Sequence, residues 1–242
     1  RGLNGRTVND AVFHPINGNI IAAVNHEIWE IDPKDGHTIR VFEGGSASGE
    51  YDQFEGIKIT SDGKYVVSDG GSGIEGLLIW DYETGKIKQV FDKGGPNRGS
   101  LGIYPDNQRV IFFTFQLTGS ENRELVQYNI GTNQIEKKVS VFPYGIEKLS
   151  LSKDGKYLAI GKTQNNNGNW TFSMELWDAE TLTPIRSFGN TTKDVAEFRD
   201  VQISNDDQYF AFANNFSFYI YKFTGELVFT TTFPIYLHES QF

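Results

Sequence analysis

Gly56-Ile57-Lys58-Ile59, Ser61-Asp62-Gly63-Lys64 and Tyr65-Val66-Val67-Ser68, followed after a glycine-rich stretch by Leu77-Leu78-Ile79-Trp80-Asp81, Tyr82-Glu83-Thr84-Gly85 and Lys86-Ile87-Lys88-Gln89-Val90-Phe91, read as four short strands joined by turns. The apolar runs are rich in β-branched and aromatic residues. They are bounded by Asp-Gly and Thr-Gly steps, the punctuation of antiparallel strands. The last run alternates Lys with apolar residues, as a strand with one face in water does.

The same paragraph recurs five times. Its aromatic anchors are Trp29, Trp80, Tyr128, Trp177 and Tyr221, with successive spacings of 51, 48, 49 and 44 residues. A second set, Asn17-Gly18, Asp62-Gly63, Asp106-Asn107, Asp154-Gly155 and Asp206-Asp207, falls where a tight hairpin needs residues that tolerate unusual backbone angles. A third set is Phe42, Phe91, Phe142, Phe188 and Phe233. A single four-stranded sheet cannot bury both faces, so the units must stack radially. The spacing is that of propeller blades rather than of helical solenoids. The sequence therefore predicts an all-β protein, a β-propeller of four-stranded antiparallel blades. Five complete blades are expected at 8–42, 54–91, 98–142, 146–188 and 198–233, within one domain spanning 1–242.

Composition narrows the function classes. The 242 residues are 38% hydrophobic and 14% aromatic, enough to bury a sizeable core. A net charge of −9 argues against nucleic acid, whose binding rests on neutralising phosphates with Lys and Arg. No run approaches the roughly 18 apolar residues of a membrane helix, so no membrane insertion is expected. The chain has no Cys, which rules out disulfides and thiolate metal sites and leans toward an extracytoplasmic or secreted bacterial setting over a cytoplasmic one. It begins with Arg1, which suggests a processed product or part of a longer protein.

Ser61-Asp62-Gly63-Lys64-Tyr65-Val66-Val67 to Ile79-Trp80-Asp81, and Ser152-Lys153-Asp154-Gly155-Lys156-Tyr157-Leu158-Ala159 to Leu176-Trp177-Asp178, resemble WD repeats. The weaker units extend the resemblance over nearly the whole chain. It implies a rigid platform for protein contacts, with no enzymatic activity and no cofactor. No unit carries the family's Gly-His step, and two of the five keep Trp-Asp, so the resemblance is to a divergent set whose internal His–Asp hydrogen-bond network is in doubt. The segment 233–242 aligns with 142–151, which leads into a blade. Residues 234–242 are accordingly expected to form the first strand of a further blade, in a ring of seven completed by blades outside this chain; a tail that matches by accident is the alternative.

The search for chemistry is mostly negative. Gly71-Ser72-Gly73-Ile74-Glu75-Gly76 satisfies the dinucleotide-binding string, but the next residues read as another strand instead of a helix, so a hairpin loop is expected. His14, His26, His37 and His238 occupy inequivalent places in the repeat and are not expected to converge on a metal. At the start of each innermost strand the aligned residues are Asn9, Glu55, Gly99, Glu147 and Arg199, then Asp10, Gly56, Ser100, Lys148 and Asp200. The oxygen ligands Asp10, Glu55, Glu147 and Asp200 could serve an axial cation. Lys148 and Arg199 stand in the same layer, however, and favour a mixed-charge, hydrogen-bonded rim.

Loop length varies most at 43–53, 116–124, 163–171 and 189–197, which marks one face as functional. In or beside these loops, Tyr51, Arg98, Trp170, Phe172 and Phe198, with Arg199, are the partner-binding candidates, because aromatic and Arg side chains dominate interface energetics. Three Asn-x-Ser/Thr triplets, at Asn169, Asn190 and Asn215, match the glycosylation pattern and arise readily in an Asn- and Thr-rich chain. The expected role is a non-enzymatic protein-interaction scaffold whose partners are proteins or further blades. A propeller hydrolase or lactonase with an axial metal, and a cell-surface glycan-binding module, are the alternatives.

Overall fold

The computed structural model describes residues 6–43, 54–69, 76–91, 100–114, 123–141, 146–166, 169–192, 198–214 and 217–232, with the backbone alone for 123, 146–147, 163–166, 169–172, 189–192 and 198. Blade 1 comprises β1 (Val8–Phe13), β2 (Ile20–Val24), β3 (Glu27–Ile31) and β4 (Thr38–Val41). Blade 2 comprises β5 (Ile57–Ile59), β6 (Tyr65–Asp69), β7 (Leu77–Asp81) and β8 (Lys86–Phe91). Blade 3 comprises β9 (Leu101–Ile103), β10 (Arg109–Thr114), β11 (Arg123–Asn129) and β12 (Gln134–Val141). Blade 4 comprises β13 (Ile146–Leu151), β14 (Tyr157–Asn166), β15 (Asn169–Asp178) and β16 (Thr183–Thr192). Blade 5 comprises β17 (Phe198–Ile203), β18 (Tyr209–Asn214), β19 (Ser217–Lys222) and β20 (Leu227–Thr232). Each blade is a four-stranded antiparallel meander with its strands in chain order, and no helix occurs among the described residues. The protein is a β-propeller with five such blades.

The first hairpin of every blade is built by one local device. The side chains of Asn17, Asp62, Asp106, Asp154 and Asp206 accept the N–H two residues on, at 2.8 to 3.2 Å. The residue between is left-handed each time: Gly18, Gly63, Asn107, Gly155 and Asp207 have φ of 74°, 72°, 58°, 76° and 54°. Asn and Asp bridge their own backbone in this way and tolerate positive φ, so the second sequence anchor follows directly from turn chemistry.

The chain forms two compact units, 1–136 and 137–242. In the first unit, blade 1 lays Ile21, Ala23, Ile28 and Phe42 against Phe54, Ile57, Val66 and Trp80 of blade 2. Trp80 is fully buried and meets Phe54 edge-on at 5.5 Å. Blade 2 in turn lays Val67, Leu77 and Ile79 against Leu101, Val110, Phe112 and Tyr128 of blade 3. In the second unit, Ala159, Met174, Leu176 and Phe188 of blade 4 pack on Val201, Phe210 and Phe212 of blade 5. Truncating one such aromatic to Ala costs about 3–5 kcal/mol, since transfer and cavity terms add. Burial of blade against blade therefore dominates the stability of each unit.

One expectation is corrected. Within the segment 163–171, read as a loop, residues 163–166 and 169–171 are strand: β14 and β15 run ten residues each and pair from Tyr157↔Asp178 to Asn166↔Asn169. Residues 163–169 are polar or Gly throughout and so give no apolar alternation. The strand arises because pairing across a two-residue connection satisfies the backbone of both arms. Likewise β16 reaches Thr192, into the expected loop at 189–197.

Candidate functional site

The first strands of neighbouring blades carry the rim. In blades 1, 4 and 5 the ladder between first and second strand shifts register between Val8 and Asp10, Ile146 and Lys148, and Phe198 and Asp200. Asn9, Glu147 and Arg199 are thus the extra residues of three equivalent β-bulges, a distortion that re-aims side chains. Blade 2 does without the bulge. There the buried Asp69 carboxylate accepts the N–H groups of Glu55 at 3.0 Å and Gly56 at 2.6 Å, ahead of β5.

Three of the rim side chains bond to backbone. Asn9 donates to the Phe54 carbonyl at 2.7 Å. Asp10 accepts Ala11 N–H on one oxygen at 2.8 Å and Ile57 N–H on the other at 3.0 Å, tying β1 to β5. Asp200 repeats the first of these bonds with Val201 N–H at 2.8 Å and adds Gln202 at 3.3 to 3.4 Å. Glu55 and Arg199 are half-buried.

The partner-binding candidates are placed less fully. Tyr51 and Arg98 lie outside the described residues. Trp170 and Phe172 occupy alternate positions of β15, opposite Asn165 and Thr163 on β14, and Phe198 opens β17 opposite Asn214. Residues 70–75 also lie outside the described part, but β7 follows them as a strand, so the glycine-rich string precedes no helix. Among the described residues, the carboxylates of Asp32 and Asp35 and the ring of His37 lie within 4.8 Å of one another on the β3–β4 turn. Asp32 accepts Lys34 N–H, and Asp35 accepts His37 N–H and lies 2.6 Å from His37 Nδ1, so the cluster is the turn's own hydrogen bonding.

No family model matches the sequence. The chain is 26% identical over 101 residues to cilia- and flagella-associated protein 52 of Chlamydomonas reinhardtii, covering 41% of this chain and 15% of the relative. It is 24% identical over 146 residues to the WD repeat-containing protein 26 homolog of Arabidopsis thaliana, covering 59% and 23%. With WD repeat-containing protein SL1-17 of Schistosoma mansoni it shares 27% over 152 residues, covering 56% and 45%. The chain spans less than half the length of each of these relatives. The chain is a WD-repeat-like β-propeller. Among solved structures, a chain of Kuenenia stuttgartiensis hydrazine synthase superposes with a TM-score of 0.74 at 14% identity, over 89% of this chain and 64% of that one. At that identity the likeness is one of fold.

The WD-repeat-like propeller keeps the family's Asp where the Trp-Asp step is intact. Asp81 accepts from Thr84 N–H at 2.9 Å and its hydroxyl at 2.8 Å, and Asp178 from Glu180 and Thr181 N–H at 3.0 and 2.7 Å. Backbone N–H donation, from Thr84 and from Thr181, holds both carboxyls below the usual Asp range against a smaller opposing effect of desolvation. Two of the aromatic anchors have a partner that the sequence reading missed. Glu27 and Glu175, each two residues before a Trp, accept the indole N–H of Trp29 at 2.8 Å and of Trp177 at 2.7 Å. Arg6 pairs with Glu27 while lying over the Trp29 ring, and Lys162 does the same for Glu175 and Trp177. The Glu-x-Trp spacing was the available signal.

In place of a Gly-His network, this propeller has joints between blades. His14 Nδ1 lies 3.2 Å from Ile16 N–H and 3.3 Å from Asn17 N–H, so Nε2 carries the proton toward Gly63 O at 3.2 Å in blade 2. The Asn107 side chain of blade 3 accepts Ser61 N–H of blade 2 at 2.7 Å, and the Asp207 carboxylate of blade 5 accepts Lys153 N–H of blade 4 at 3.0 Å. On the outer strands, Arg40, Gln89 and Arg186 each stand two residues before a Phe anchor. Each donates to a carbonyl in the third-to-fourth-strand turn of the following blade: Tyr82 and Glu83, Ile130, and Thr224.

Proposed function

We propose that this WD-repeat-like propeller is a non-enzymatic protein-interaction scaffold that works as part of a larger protein or assembly and offers its long-looped side to partners. The observation that carries the reading is the blade 4 hairpin. Its arms, β14 and β15, are ten residues long where the middle strands of the other blades have five to seven. That extension sets Trp170 and Phe172 at alternate positions of one arm, the residue types that anchor interfaces. The rim supports the same reading, because both Asp10 carboxylate oxygens accept backbone N–H groups, that of Ala11 within blade 1 and that of Ile57 across to blade 2. The relatives named for WD repeats add the expectation of protein contacts.

The test places a photo-crosslinking amino acid at position 170 and, as a control, at position 135. Partner protein crosslinked at 170 and not at 135 is the expected result, with pull-down of that partner by the chain lacking the crosslinker falling at least about tenfold when Trp170→Ala is combined with Arg98→Ala. Capture unchanged by those substitutions overturns the placement. Trp170-dependent retention on a glycan array, without protein capture, would assign the hairpin to carbohydrate instead.

A further inference from the structure

Among the described residues, the fourth strand of each blade pairs on one side only, and four of these five edges are guarded. β4 carries Arg40, β8 carries Lys86 and Lys88, β12 carries Glu136, Lys137 and Lys138, and β16 carries Pro184 and Arg186. Charges and proline are the usual means of keeping an edge from pairing with another chain. β20 reads Leu227-Val228-Phe229-Thr230-Thr231-Thr232 and has neither. Leu227, Val228 and Phe229 are 46%, 48% and 48% exposed, three consecutive apolar residues in water. Only Glu226 stands at its head, and Lys222 already pairs with it at 2.6 Å.

Beside the edge, Phe229 pairs in register with Ile220, and its ring lies 6.3 Å from that of Phe218, so three apolar side chains make a shelf flanking the open backbone.

We infer that β20 is a strand-addition site, where an extended, uncharged segment of a partner protein, with β-branched or aromatic residues at alternate positions, joins blade 5 as a fifth strand. Main-chain hydrogen bonds supply affinity in this mode and alternate side chains supply selectivity. A charged strand is disfavoured because the shelf offers it no counter-charge. A second copy is a poor occupant: pairing two six-residue edges buries far less than the roughly 1,600 Å² of a stable interface. The site is separate from the blade 4 hairpin, so Trp170→Ala leaves it intact and the two readings fail independently.

A random octapeptide phage library selected on the full chain tests it, with recovered peptides resynthesised carrying N-methyl groups on alternate residues in either register. Expected are uncharged alternating sequences whose binding falls by about tenfold or more in one N-methyl register only. It should fall as far with Val228→Lys or Phe229→Lys, stay unchanged with Ile135→Lys on β12, and slow amide exchange across Leu227–Thr232. Because the exchange measurement uses the unaltered chain, it decides the matter even where a Lys variant fails to fold. No recovered binder, binders indifferent to both β20 variants, exchange protection elsewhere, or a dimer abolished by Val228→Lys would each overturn the inference.

Discussion

Arg40 lays its guanidinium 4.8 Å over the ring of Tyr82 and donates at 2.5 Å to that residue's carbonyl, across the boundary between blades 1 and 2. The same guanidinium meets the buried Glu30 carboxylate at 2.6 Å and lies over Phe42. Glu30 also accepts from the Tyr82 hydroxyl at 2.5 Å and from Asn19 at 2.6 Å. Desolvation pushes Glu30 up, but these three donors outweigh it and hold the carboxyl below the usual Glu range.

Arg40→Ala is expected to destabilise the chain by about 2–3 kcal/mol, because it strands a buried carboxylate and strips the cation from two rings. The joint Arg40→Met, Glu30→Met variant should cost less than the single change. Urea unfolding of both measures the difference, and a larger loss in the double variant would show that the ion pair itself is strongly stabilising.

Gly63→Ala should cost more than Gly18→Ala. Both residues have left-handed φ near 70°, so the conformational penalty is shared. A methyl at Gly63 would sit 2.6 Å from His14 Cε1, whereas one at Gly18 meets nothing within 4 Å. The expected gap in stability is about 1–3 kcal/mol, the usual cost of overpacking, read from paired thermal melts.

Gln127 is fully buried in β11, and neither atom of its amide has a hydrogen-bond partner. Gln127→Met keeps much of the volume and removes the unpaid desolvation, so it should leave stability unchanged or raise it by about 1–2 kcal/mol. A loss on denaturant titration would point to an internal water held by this amide.

Acid should weaken the first hairpins of blades 2 to 5 together, and spare that of blade 1, which Asn17 turns without a carboxyl. Asp62, Asp106 and Asp154 lie below the usual carboxylate range, where burial, which raises them, is outweighed by backbone and side-chain donors. Asp206 is lowered first by the Ser204 hydroxyl. A carboxyl depressed in the folded state contributes stability that is complete above its unfolded value, about 3.9 for Asp, and is lost as pH falls through the folded value. The melting midpoint should therefore hold from pH 7 to about pH 5 and drop below pH 4. A decline setting in above pH 6 would contradict this.

The blades were legible because their punctuation is local. Asp62 needs only Lys64, two residues away, to make its turn, so the pattern survives in the sequence wherever the turn does. The ten-residue arms of blade 4 were not legible: Thr163 to Asn169 holds no apolar residue but Gly, and strand periodicity shows only where one face is buried. Contacts between blades were hidden for another reason. Arg40 and Tyr82 lie 42 residues apart, Ser61 and Asn107 lie 46 apart, and no local rule reaches that far. The residue two before the Phe anchor is Arg40, Gln89 and Arg186 in blades 1, 2 and 4 but Ser140 and Thr231 in blades 3 and 5, so setting the anchors in register shows the outer joints only in part. The rim residues were found by alignment, but their employment on backbone was not, since a bulge leaves no mark on composition.

The three described outer joints use different chemistry: a guanidinium on Tyr82 and Glu83, an amide on Ile130, a guanidinium on Thr224. Tandem units of one shape risk docking on the wrong neighbour as they fold, a hazard of repeat chains. Here a unit misplaced by one step would bring a short amide where a long cation belongs, or the reverse. What looks like decay of a repeat thus gives each unit its own address, and the order of assembly is written into the differences between copies.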